Sequence, residues 1–166
     1  MCARYPGSLV AVIRSMTIAD ERETWRENLI TTGDGIRRML ESAKRIAVLG
    51  IKREHDRPAY FVPEYAQMAG YEIIPVPVYY PELKELMGQP VYRRVADVPG
   101  DVDIVNVFRR PEHIPPHVDD IIAKKPKAVW FQSGIRNDAA AERLAKAGIQ
   151  VVQDRCLMVE IRRIGR

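Results

Sequence analysis

Basic residues in a short turn give the first indication of chemistry in this sequence. An apolar, branched run ends at Gly50, and Arg53 and Arg57 follow in a charged loop. Asp56 is suited to cap a helix, and Pro58 is suited to its first turn, where a missing N–H costs nothing. A loop that leads from a strand into a helix N-terminus presents unpaired N–H groups and the positive end of the helix dipole. The pattern therefore predicts an anion-binding turn.

A second basic turn follows another apolar run further along the chain. Residues 102–108 have the composition of a buried strand, and Arg109 and Arg110 come directly after it. Guanidinium groups bind phosphate through charge-assisted and often bidentate hydrogen bonds. We expect the two basic turns to face each other across one crevice and to hold a phosphorylated ligand between them.

The order of the predicted elements explains how the two turns would meet. Apolar runs alternate with helical patterns, which is typical of a parallel sheet covered by helices on both faces. We expect a single-domain, three-layer α/β fold with a doubly wound, Rossmann-like sheet in the strand order 3-2-1-4-5-6. In that order the winding reverses between strands one and four, where the two turns lie. The predicted strands are residues 45–50, 71–78, 90–92, 102–108, 127–132 and 149–153, and the predicted helices are 58–69, 115–124 and 137–148, with a last short element over 156–164.

A helical pattern also precedes the first strand. Over residues 18–44, Leu29, Ile36 and Leu40 recur at helical spacing, and a glycine-containing interruption lies between the first two of them. We expect two helical pieces whose apolar stripe packs in the core, with a homodimer face as the alternative.

Length, charge and cysteine content limit the class of protein. A chain of 166 residues can form one domain with a proper core, and its formal net charge of +4 suits an anionic ligand. Basic residues are scattered and no nucleic-acid-binding motif is present, so we expect no nucleic acid partner. Cys2 and Cys156 are too few for a disulfide framework or a zinc site, which predicts a cytoplasmic protein.

The N-terminal residues show no targeting pattern. The apolar run 9–13 is too short to span a membrane, and its flanks lack a signal-peptide cleavage pattern. We expect residues 1–17 to form a loose extension, residues 18–166 to form the domain, and no membrane to be involved. Met16 is a second candidate for the start of the protein.

The first turn does not match a standard dinucleotide-binding fingerprint. It contains Gly50 without the further spaced glycines of that motif, and residues 75–80 supply neither the acidic residue of an NAD site nor the basic residue of an NADP site. An NAD(P)-dependent oxidoreductase is therefore disfavoured but remains an alternative. An interaction module with a vestigial nucleotide site is another.

Six segments in order carry a resemblance to a known family. They are residues 47–50, 57–58, 70–76, 103–112, 129–137 and 154–156. Together they resemble the small stand-alone CoA-binding proteins, which are similar to the N-terminal CoA-binding domain of the succinyl-CoA synthetase alpha subunit. The likeness extends over residues 21–163. The family usually continues from strand two with Pro-Val-Asn-Pro, and this chain has Pro77 and Val78 in place of the last pair.

The resemblance implies a Rossmann-like fold that binds coenzyme A or an acyl-CoA. The phosphates would lie on the first loop, at Gly50, Ile51, Arg53, Arg57 and Pro58. The adenosine would lie near Val76 and Pro77, where the departure from the family pattern falls. The pantetheine would pass Phe108 and Arg109 toward Gln132, Ser133 and Gly134. We place Cys156 near the thiol end of the ligand, within reach of a mixed disulfide.

No catalytic group stands out in the sequence. The synthetase carries its phosphorylated histidine in a second domain, and we expect a chain of this length to lack that domain. His113 and His117 have helical spacing, but no carboxylates around them predict a metal site, and His55 stands alone. Without a nucleophile–base pair, we expect a binding protein first and an enzyme second.

Overall fold

Strands and helices alternate along most of the computed structural model, which describes residues 23–166. The strands are β1 (Arg45–Leu49), β2 (Glu72–Val76), β3 (Glu85–Leu86), β4 (Gln89–Pro90), β5 (Ile104–Val107), β6 (Ala128–Phe131) and β7 (Gln150–Val152). The helices are α1 (Gly33–Ser42), α2 (Pro58–Met68), α3 (Pro115–Lys124), α4 (Asp138–Lys146) and α5 (Leu157–Arg163). The expected extension over residues 1–17 and the predicted helical start at 18–22 lie outside the described residues.

The main sheet has five parallel strands in the order β2-β1-β5-β6-β7. Helices α3 and α4 pack on one face of the sheet, in an apolar cluster that includes Val105 and Leu144. Helices α1, α2 and α5 pack on the other face, in a second apolar cluster that includes Ile104 and Trp130. The winding reverses between β1 and β5. The prediction of a single-domain, doubly wound α/β fold in three layers is therefore confirmed.

The predicted third strand of this sheet is wrong. Residues 89–90 pair instead with residues 85–86 in a separate antiparallel ribbon, whose two turn residues, Met87 and Gly88, have φ of 54° and 73°. Positive φ at both positions is the geometry of the tight hairpin turn that folds a chain straight back. The amide of Tyr92 still donates to the Pro75 carbonyl of β2 at 3.0 Å, but Pro75 has no N–H to extend a ladder.

The apolar stripe before β1 is divided between the two faces of the sheet. Thr32 caps α1 by accepting a hydrogen bond from the Gly35 amide, so that Ile36 and Leu40 are buried in the core as predicted. Leu29 lies before this cap and forms a parallel bridge with Val151 of β7 instead. The three residues therefore do not form one helical stripe. None of the described helices has the length and apolar character needed to cross a membrane.

A buried carboxylate joins the beginnings of β1 and β5. The Asp103 side chain accepts hydrogen bonds from the Lys44 and Arg45 amides at 2.8 and 2.9 Å, and Lys127 Nζ lies 3.0 Å away. Burial raises the pKa of this carboxyl, but the two backbone amides and Lys127 outweigh it and hold the pKa below its ordinary value of 3.8. The ionised form of Asp103 therefore stabilises the fold.

We expect Asp103→Asn to lower the free energy of unfolding at pH 7 by about 1–3 kcal/mol. Because the pKa is lower in the folded state, the stabilisation is complete above the unfolded-state value and is lost as pH falls through the folded-state value. Urea denaturation of both proteins at neutral and strongly acidic pH measures this. Asp101→Asn, at an exposed position, is the control. If the difference in unfolding free energy between the parent protein and Asp103→Asn did not become smaller in acid, the stabilising role of ionised Asp103 would be contradicted.

Candidate functional site: a basic crevice at the reversal of the sheet

The two basic turns are in direct backbone contact at the carboxyl ends of β1 and β5. The Phe108 amide donates to the Leu49 carbonyl at 2.8 Å, and the Gly50 amide donates to the Val76 carbonyl at 2.9 Å. Gly50 has a φ of +83°, and a Cβ atom at this position would lie 2.4 Å from the Phe108 carbonyl oxygen. Glycine is required both by this conformation and by this approach.

Helix α2 begins at the edge of the crevice with an N-terminus that no side chain caps. The structure places the N-cap at Arg57, so the prediction of Asp56 as the cap is wrong. The residue before a proline is driven into extended conformation, and Arg57 accordingly has φ −93° and ψ 138° before Pro58. The first turn contains no acidic residue. No carboxylate of the first turn therefore offsets the positive end of the helix dipole.

A pocket of ≈ 540 Å³ opens between these elements. Its volume lies within the range of small-molecule sites. The turns after β1, β5 and β6 line it, together with the first residues of α2. The lining residues are Gly50, Lys52, Arg57, Pro58, Ala59, Phe108, Arg109, Arg110, Pro111, Gly134 and Ile135.

Four of the lining side chains are cationic, and no lining residue is acidic. In the described part of the chain, none of these four forms an ion pair with a carboxylate. They are Lys52, Arg57, Arg109 and Arg110. Unpaired cations gathered at a helix N-terminus create a positive potential that favours an anionic ligand.

Arg53 differs from these four in its surroundings. Its guanidinium lies 3.0 Å from a Glu82 carboxylate oxygen and 3.7 Å from one of Glu54, outside the lining of the pocket. The Tyr80 ring also lies under it, 4.5 Å from the guanidinium carbon. Arg53 therefore belongs to a surface cluster beside the crevice, and a role in phosphate binding remains a prediction.

Tyr79 stands among the cations of the crevice. Lys52 Nζ lies 3.7 Å from the centre of its ring, and the Arg109 guanidinium carbon lies 6.0 Å from it. A hydrogen bond to Arg109 and the charge of that residue, followed by those of Lys52 and Arg110, lower the pKa of the Tyr79 hydroxyl. Lys52 has no motif that marks it in the sequence, although it lies in the same basic loop as Arg53.

Three other predicted residues are covered by the fold. Ile51 and Val76 are fully buried and Pro77 is also buried, so these side chains cannot reach a ligand in this conformation. The Val76 carbonyl is occupied by the Gly50 amide. Contact with an adenosine would therefore have to come from backbone atoms near Pro77 or from Tyr79.

The remaining predicted residues lie in two segments, the turn after β6 and the start of α5. Gly134 lines the pocket and Ser133 beside it is exposed. Gln132 is 4% exposed, and its Oε1 accepts a hydrogen bond from the Leu157 amide at 3.2 Å, which ties it to the beginning of α5. Cys156 is the N-cap of α5, half-buried against the core and outside the lining of the pocket.

The chain is similar in sequence and fold to known proteins. The family model described as a CoA binding domain matches residues 44–162. The Bacillus subtilis (strain 168) protein named "Uncharacterized protein YneT" is 36% identical over 124 residues, which cover 75% of this chain and 90% of that protein. A Thermus thermophilus protein of solved structure is similar at 40% identity with a TM-score of 0.75, over 81% of this chain and 99% of that one.

A more distant likeness shows the fold alone. The dinucleotide forming acetyl-coenzyme A synthetase 1 of Ca. Korarchaeum cryptofilum, solved with phosphate and ADP, is 21% identical with a TM-score of 0.56. The match covers 65% of this chain and 25% of the synthetase.

The sheet order and the crevice at its point of reversal place the protein among the Rossmann-like α/β proteins, whose ligands bind outside the carboxyl ends of the strands. Within that class, the match over residues 44–162 is more specific. The chain belongs to the CoA-binding domain family.

The charges around Tyr79 can be measured through its titration. We expect the pKa of Tyr79 to lie below its ordinary value of 10.0. Arg109→Gln should raise this pKa, because the hydrogen bond and the charge of Arg109 are the largest causes of the lowering. The difference between the ultraviolet titrations of the parent protein and of its Tyr79→Phe variant isolates this residue. Arg38→Gln, which removes an exposed charge on α1, should leave the value unchanged. A pKa at or above 10.0 would contradict this geometry.

Proposed function

We propose that the protein binds coenzyme A or an acyl-CoA in the basic crevice, without catalysis of its own. The observation that carries the proposal is a pocket that includes the uncapped start of α2 and four cations that form no ion pair within the described residues. Coenzyme A contains a pyrophosphate and a further phosphate on its ribose, so it offers charges for several cations at once. Membership of the CoA-binding domain family supports the same ligand.

The two ends of the crevice suit different parts of this ligand. The pyrophosphate would bind at the N-terminus of α2 with Arg57, where the positive end of the helix dipole and a guanidinium border the same pocket. Lys52 and Arg109 surround Tyr79, and this cationic cluster would bind the ribose phosphate with the adenine near the Tyr79 ring. The arm with the thiol would leave past Phe108 toward Gly134.

The other predicted contacts require movement. Arg53 would have to turn away from Glu82, and the buried Gln132, once uncovered, would offer its Nε2 while Oε1 keeps the Leu157 amide. Cys156 would approach the thiol end if the arm extended beyond the present pocket to the start of α5. These contacts remain predictions.

Removing one guanidinium from the crevice should weaken the complex. We expect Arg57→Gln to raise the Kd for coenzyme A by about 10-fold or more, because a charge-assisted hydrogen bond to phosphate is lost. Isothermal titration calorimetry at low salt measures this, and adenosine should be affected far less because it has no phosphate.

The matched control is Arg38→Gln, which removes the same charge from an exposed position on α1 outside the pocket. Its Kd for coenzyme A should stay within about twofold of the parent value. If the parent protein binds NADP⁺ and does not bind coenzyme A, the proposal is overturned in favour of an oxidoreductase. Equal weakening by both variants would show that only net charge matters.

A further inference from the structure

Three buried side-chain polar atoms in the described residues have no hydrogen-bond partner. They are Nδ2 and Oδ1 of Asn106 and Nε of Arg109. Asn106 is in β5 and is 0% exposed, and Arg109 lies in the turn that follows. Leaving a buried donor or acceptor unpaired costs about 1–3 kcal/mol. An apolar residue would avoid that cost at Asn106, so stability does not account for the amide there.

The neighbours of Asn106 are apolar. It lies in register between Val48 of β1 and Trp130 of β6, on the face of the sheet that α2 and α5 cover. The Trp130 indole donates to the Arg155 carbonyl and so does not serve Asn106. The carboxamide thus sits in a low-dielectric environment, where any hydrogen bond it gained would be strengthened.

Phe108 follows Asn106 on the same face of the sheet, on the side toward the crevice. It lies two residues further along the chain and packs against the apolar cluster of the same face, about 6.6 Å from Asn106 along the strand direction. Phe108 is only half-buried and lines the pocket. Displacement of this half-buried ring would open the side of the crevice that faces β5 and the unpaired amide of Asn106.

We propose that the arm of the ligand beyond its phosphates displaces Phe108 and pairs with Asn106. This inference rests on the proposed function, because it assigns the recognition of the pantetheine part of that ligand. Pantetheine contains two secondary amides, each with one N–H donor and one carbonyl acceptor. An asparagine carboxamide can accept a hydrogen bond at Oδ1 from the N–H of one such amide and donate from Nδ2 to the carbonyl of another. The buried unpaired amide of Asn106 then becomes a site that selects ligands with a pantetheine arm.

Two ligands separate this site from the phosphate site. Adenosine 3′,5′-bisphosphate retains phosphates and adenosine but has no pantetheine, and coenzyme A has both. We expect Asn106→Leu to weaken coenzyme A binding by about 10-fold or more while the bisphosphate Kd changes less than about twofold. The thermal midpoint of the unliganded variant should not fall, because an unpaired buried amide has been removed. Ile104→Val, on the same strand and face, is the control and should leave the Kd of coenzyme A and the Kd of the bisphosphate unchanged.

The outcomes distinguish the two proposals. If the parent protein binds no coenzyme A, the proposed function and this inference both fail. If it binds coenzyme A and Asn106→Leu leaves that Kd unchanged, or weakens both ligands equally, only the role of Asn106 is overturned. A purely structural role would lower the thermal midpoint.

A second measurement uses the parent protein without any substitution. In the parent protein, the side-chain NH₂ signals of Asn106 in a ¹⁵N-labelled sample should shift on addition of coenzyme A and stay in place on addition of the bisphosphate. Signals that move with both ligands or with neither would overturn the inference.

Discussion

The functional part of this molecule depends on the close approach of two backbone segments, Gly50 against the carbonyl of Phe108. Parallel strands end at a common edge, and β1 and β5 are the neighbours from which the chain leaves in opposite directions. Because residue 50 has no side chain, the turn after β1 can lie directly on the turn after β5. Residues that follow both strands then line one pocket.

The charges in that pocket are arranged for something other than stability. Surface ion pairs occur elsewhere in the described chain, as between Arg94 and Asp120 or Arg143 and Asp119. The four cations of the crevice have no such partner among residues 23–166, and the uncapped start of α2 adds to their potential. Like charges held together without compensation are destabilising. An anionic ligand would relieve this repulsion, which explains why such an arrangement is tolerated.

Periodicity predicted the strands that bury both of their faces. β1, β5 and β6 are mostly apolar and almost wholly buried because the middle of a parallel sheet is covered on both sides. The prediction was wrong at residues 90–92, where a tight turn at Met87 and Gly88 pairs the chain locally. It was also wrong at Asp56, because the conformational rule for a residue before proline outweighed the capping preference of an acidic side chain.

The candidate site was predictable in position but not in detail. Arg57, Arg109 and Gly134 follow strands or begin a helix at the same edge, and this placement comes directly from the order of elements. Gln132 fits the same rule, yet its amide oxygen is engaged by Leu157, a residue 25 positions away. Contacts of that kind depend on how distant segments pack, and no local pattern encodes them.

The sequence by itself determined which segments become strands and where the basic turns lie, because these follow from hydrophobic period and from the backbone limits of glycine and proline. Only the tertiary structure decided which of the cations form ion pairs with carboxylates in the described chain. Arg53 and Arg57 are four residues apart in one loop, but Arg53 meets Glu82 from a segment 29 positions away and Arg57 meets no carboxylate in the described chain. The availability of a charge is set by its neighbours in space, and those are fixed only when the sheet assembles.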